Sequence, residues 1–142
     1  MPENYVIDAS RKIVTCLAWG NFTNDDLHEH YRRLAADPAF DPTLAQLADL
    51  SGVTEFSVDS AVIESEARRN IFAPGTARAI VAPKGVAFGL ARMFAAYTPE
   101  DQMVRVFASL REAEAWLEHT RRGRETAASS GEGGGRSDQG KV

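Results

Sequence analysis

The chain has 142 residues, 44% hydrophobic and 25% charged, which is the size and composition of one globular domain. A formal net charge of -4 argues against nucleic-acid binding, because phosphate contacts need a clustered excess of Lys and Arg. Cys16 is the single cysteine, so an intrachain disulfide is excluded and a buried thiol in a reducing cytoplasm is expected.

The opening Met1-Pro2-Glu3-Asn4 lacks the basic and apolar regions of a signal peptide. Lys84 and Arg92 interrupt the most apolar stretch well before it could span a bilayer, so no membrane span and a cytoplasmic location are expected. Residues 5–8 and 12–19 then read as a β-hairpin, with Ala9-Ser10-Arg11 in its turn. In the second strand Ile13, Thr15, Leu17 and Trp19 share one face and Val14, Cys16 and Ala18 the other, which predicts a central strand covered on both faces and ended by Gly20. Thr23 predicts a helix cap, with Asp26 reaching back to it and Phe22 stapled against Leu27, and the helix runs to about Ala36 before Asp37-Pro38.

A strand is predicted over 44–49, and Asp59 is a natural cap for a helix from Ser60 to about Asn70, along which Ile63, Ala67 and Ile71 recur every four residues. Residues 79–82 read as a second buried strand, and Pro83-Lys84-Gly85 leads into a helix over 86–97. Residues 103–108 make a last strand, and Ser109-Leu110-Arg111-Glu112 is a capping box for a terminal helix bearing Ala113, Trp116 and Leu117. Residues 123–142 hold six of the eleven glycines and no aromatic residue, which predicts a disordered Gly/Ser-rich tail after a domain over 1–122.

The order β-β-α-β-α-β-α-β-α predicts an α/β fold with a mixed sheet: an N-terminal hairpin and mostly parallel later strands. Parallel strands put their carboxyl ends on one rim, where residues 20–23, 51–60 and 83–85 are expected to meet beside helix N-termini. The rim candidates for binding are Asp49, Ser51, Asp59, Ser60, Lys84 and Gly85.

The run Asp49-Leu50-Ser51-Gly52-Val53-Thr54, followed by Asp59-Ser60, resembles the signature loop of the STAS family, which includes the anti-sigma-factor antagonists of bacteria. Asp37-Pro38-Ala39-Phe40-Asp41-Pro42 and Phe88-Gly89-Leu90-Ala91-Arg92-Met93-Phe94 are similar to the SpoIIAA-like branch, grouped by fold with CRAL-TRIO lipid-transfer domains. The resemblance covers residues 5–119 and implies a STAS-like domain with a regulatory role, in which antagonist proteins carry Asp-Ser-Ser/Thr-Gly and are phosphorylated on the second hydroxyl. Here that position falls on Ala61, Val62 replaces the glycine, and the stretch from Val53 to Asp59 is longer than usual.

Nothing in the residues points to catalysis, a cofactor or a metal. His28 and His30 lie about 200° apart around a helix and cannot share one ion, and the i, i+4 pair Asp26 and His30 reads as part of a solvated face. Gly-x-Ser-x-Gly and the phosphate-binding Gly-x-x-x-x-Gly-Lys are both missing, so no enzyme is expected. The third helix spreads Val86, Phe88, Leu90, Met93, Phe94 and Tyr97 around most of its circumference and needs cover on two sides. Trp116 and Leu117 of the terminal helix are expected to give the second cover; otherwise Phe88, Arg92, Met93, Phe94 and Tyr97 line a groove for an apolar ligand or a second copy of the chain. The expected role is non-enzymatic binding of a small apolar or amphipathic molecule, with docking of a regulatory protein partner through the rim as the alternative.

Overall fold

The computed structural model describes residues 3–123. Along them run β1 (Glu3–Asp8), β2 (Ile13–Thr23), α1 (Asn24–Ala36), β3 (Ala45–Ser57), α2 (Ser60–Arg69), β4 (Ala77–Val81), α3 (Val86–Tyr97), β5 (Met103–Phe107) and a helix α4 over residues 110–123. The element order is the expected one. α4 continues to residue 123, and the rest of the expected tail, residues 124–142, lies outside the described residues.

β1 and β2 pair antiparallel and the remaining neighbours pair parallel, in the spatial order β1-β2-β3-β4-β5. Because β2 to β5 are laid down in one direction across the sheet, right-handed crossovers carry α1, α2 and α3 to the same face. α4 follows the edge strand β5 with no further strand to reach, and it packs on the opposite face. There Leu47, Ala77, Ala79, Val81, Ala113 and Leu117 form one buried cluster, with Trp116 and Phe107 against it. α3 instead places Ala91 and Phe94 in a cluster with Ala18, Phe22, Ile63 and Ile80. The expected cover of α3 by Trp116 and Leu117 is therefore overturned: Val62 of α2 and Val104 and Val106 of β5 pack into the α3 cluster instead.

Strand bounds depart from the sequence pattern at the carboxyl ends. Gly20 does not end β2; it adopts φ +67°, and after a register shift between Gly20 and Asn21 the pairing resumes at Asn21↔Glu55 and continues to Thr23↔Ser57. β3 accordingly runs to Ser57, and most of the expected 53–59 loop is strand. β4 pairs with β3 only from Gln46 to Asp49, so the ends of β2 and β3 project beyond the sheet as a two-stranded ribbon, with the Phe22 and Phe56 rings 5.6 Å apart. β2 is also less covered than predicted, because α4 packs over β3 to β5 and leaves Leu17 and Trp19 43% and 45% exposed.

Candidate functional site

The predicted rim is divided between the two faces of the sheet. Thr23 forms the expected capping box: its Oγ1 accepts from the Asp26 backbone N–H at 3.3 Å, and the Asp26 carboxylate accepts from the Thr23 N–H at 2.9 Å. Asp59 precedes α2 without capping it through its side chain. Its carboxylate accepts from Asn24 Nδ2 at 3.0 Å, and its own N–H donates to Asn24 Oδ1 at 2.9 Å, which joins the starts of α1 and α2. Ser57 donates to Asn21 Oδ1 at 2.9 Å, so residues 20–23 and 51–60 do meet, while no hydrogen bond ties the exposed Lys84 and Gly85 to them. Gly85 takes φ +108° where α3 begins, a conformation that favours glycine.

Asp49 accepts from Ser51 twice, from Oγ at 2.6 Å and from the backbone N–H at 2.9 Å. It lines a broad groove of about 740 Å³ on the α4 face together with Thr15, Leu17, Leu47 and Leu117. Ser60 opens α2, which packs on the other face. Asp49–Ser51 and Asp59–Ser60 are thus two places rather than one site.

The α1–α3 face holds a partly open cavity of about 70 Å³. Ala18, Phe22, Ala48, Ile63, Ile80, Leu90, Ala91 and Phe94 supply apolar wall, and Glu3, Cys16, His30, Tyr31 and Gln46 supply polar groups. Among the predicted groove residues, Phe94 lines this cavity, whereas Phe88, Met93 and Tyr97 are half-buried against the surrounding cluster and Arg92 is exposed. The Arg68 guanidinium lies 5.3 Å from the centre of the Tyr97 ring.

Residues to which the sequence pattern gave no part in a site make the polar part. His30 is buried, contrary to the solvated face expected for it, and its Nδ1 stands 3.0 Å from Glu3 Oε1, which also accepts from Arg33 Nη2 at 2.6 Å. Burial opposes charge on the imidazole, but the adjoining Cys16 sulfur and Glu3 carboxylate outweigh it and hold the His30 pKa above its ordinary value. Arg78 of β4 is 1% exposed. Its Nε donates to Gln46 Oε1 at 2.9 Å, Nη1 to Asn70 Oδ1 at 3.1 Å and Nη2 to Tyr31 Oη at 3.3 Å, and its guanidinium lies 4.3 Å from the centre of the Phe72 ring. Gln46 in turn donates from Nε2 to Cys16 Sγ at 3.5 Å. Burial raises the pKa of Tyr31 against the opposing charge of Arg78, so its phenol keeps its proton at neutral pH. Starting β4 at residue 79 hid Arg78; the observed strand begins at Ala77 and places Arg78 on the inward face with Ile80. An arginine between alanines at the head of an apolar strand is the signal that was there to find.

Among the described residues no three His, Cys, Asp or Glu side chains are placed to hold a metal ion, and no helix is long and apolar enough to cross a membrane. No family model and no curated protein matches this sequence. Among solved structures it is similar to the crystal structure of an uncharacterized protein of the DUF3478 family, with a SpoIIAA-like fold, from Shewanella loihica PV-4. The TM-score is 0.54 at 20% identity, over 81% of this chain and 93% of that one. This likeness shows the fold: the chain, with its five-stranded mixed sheet, has a STAS-type, SpoIIAA-like fold.

Proposed function

We propose that this chain is a non-catalytic binding domain that holds part of a small apolar or amphipathic molecule between its sheet and helices α1 to α3. The cavity carries this reading: its walls are mostly apolar, and three different helices and four strands contribute to them. Its 70 Å³ is several times the ~10–15 Å³ that a single water needs and less than half the ~150 Å³ of a cavity that binds benzene, so it accommodates a short alkyl segment. Leu27, Leu50, Phe56 and Leu90 are half-buried wall residues, where the rest of a longer molecule can lie. A reducing cytoplasm suits the buried free thiol of Cys16.

The test is native mass spectrometry of gently purified protein together with an NMR titration using octan-1-ol. A bound molecule, or saturable shifts confined to Ile80, Leu90, Ala91 and their neighbours, supports the reading. Absence of both removes it. A second reading, docking of a regulatory protein, is favoured by the exposure of Ser60 and Ala61 on the first turn of α2. It is tested with Ala61→Ser, which restores the hydroxyl on which antagonist-type partner switching depends; phosphorylation with release of a partner supports it.

A further inference from the structure

Arg78 is a buried cation whose described partners are all neutral. Gln46, Asn70 and Tyr31 accept its hydrogen bonds and Phe72 and Phe94 lie against its guanidinium, but no carboxylate does. Among the described residues the other buried charges are matched: Glu3 holds Arg33 and His30, and Glu66 holds His28 and Arg69. Removing an unmatched charge from water is costly, and neutral acceptors compensate it less well than an anion does. Three residues that contact Arg78, namely Tyr31, Gln46 and Phe94, also line the apolar cavity. The unmatched cation therefore sits one side chain from a cavity fit for a short chain. The bond to Tyr31, at 3.3 Å, is the longest of its three hydrogen bonds and the easiest for a charged oxygen to replace.

We propose that the ligand of this cavity is an apolar monocarboxylate, its alkyl chain against Phe94 and its carboxylate read by Arg78. A guanidinium presents planar paired N–H groups that match a carboxylate, which a lysine ammonium would not. The proposal rests on the cavity reading above and adds the charge of the head group to it.

The experiment compares octanoate with octan-1-ol at neutral pH by NMR titration of the wild-type protein, then repeats both with Arg78→Met and Arg78→Lys, each checked by circular dichroism for native fold. Octanoate is expected to bind at least about tenfold more tightly than the alcohol, the difference that one charge-assisted hydrogen bond supplies. Arg78→Met should abolish that preference while the alcohol still binds, and Arg78→Lys should retain only part of it. Equal binding of acid and alcohol by wild type overturns the proposal and leaves the cavity reading standing. Failure of both probes to bind overturns the proposal, and it overturns the cavity reading too when native mass spectrometry finds no bound molecule. The wild-type comparison decides even where the variants do not fold.

Discussion

Gln46 accepts the Nε–H of Arg78 at 2.9 Å where both residues are 1% exposed. Replacing Gln46 by Leu leaves the guanidinium short of an acceptor in the core, and a loss of about 3 kcal/mol is expected from a charged donor left unsatisfied. Combining Gln46→Leu with Arg78→Met removes both partners, so the double variant should be more stable than Gln46→Leu alone. Urea denaturation of the three variants measures this, and a double variant weaker than the single one would count against the coupling.

His30 gives stability a pH dependence. Its pKa is raised in the folded protein, so its contribution is fully present below the ordinary histidine value of about 6.5 and is lost as pH rises through the higher folded value. Denaturation midpoints at about pH 5.5 and about pH 8.5 should fall more for wild type than for His30→Gln. Equal falls would show that the facing groups, Glu3 and Cys16, do not stabilise the charged ring.

Tyr5 and Asp37 shift one another in opposite directions. The Tyr5 hydroxyl donates to Asp37 Oδ2 at 2.6 Å; burial, then this bond and the Asp37 charge, push the phenol up to about 12. The same bond and the Ala39 N–H hold the Asp37 pKa below the usual carboxylate value. Tyr5 thus contributes stability below its ordinary pKa near 10 that is lost as pH rises through about 12, and Asp37 contributes stability above its ordinary pKa that is lost as pH falls through its lower folded value. Alkaline absorbance titration should lose a late-titrating phenol in Tyr5→Phe.

Thr23 and Asp59 separate a cap from a position that only looks like one. Thr23→Ala breaks a capping box and should cost about 1 kcal/mol. Asp59→Ala loses an exposed bond to Asn24 and should cost less. Midpoints in the reverse order would mean that α2 depends on an Asp59 cap after all.

The placement of α4 is tested by Leu117→Ala, expected to cost about 2–4 kcal/mol for a buried leucine. Trp116 is half-buried against Phe107, at 5.7 Å between rings, so Trp116→Ala should cost less. Neither change should disturb the NMR signals of Ala91 and Phe94, which lie across the sheet.

Local signals in this chain were reliable where the physics is local. The alternation of strand and helix, the bounds of α3, the Thr23 capping box and the hydroxyl-to-Glu112 contact of Ser109 all follow from neighbouring residues, and each is present. The mixed sheet follows too, because a short turn after β1 permits an antiparallel pair and helical crossovers impose parallel ones. The extension of β2 past Gly20 was not legible, since glycine is as suited to a bulge as to a stop and only the partner strand decides between them.

Which face each element covers was decided by the tertiary structure. The apolar surface of α3 requires burial without naming its partner, and the direction in which strands are added put α2 beside it and α4 on the far side. The same holds for the site. A sequence places Asp49 ten residues from Asp59, but strand alternation and the α2 crossover set them on different faces, while Glu3, His30, Gln46 and Arg78, scattered over 76 positions, converge beside one cavity. Residue type and spacing determined the elements of this protein; the proximity of charged groups distant along the chain, and hence where a buried cation stands without an anion, arises only when the sheet and its three helices close over them.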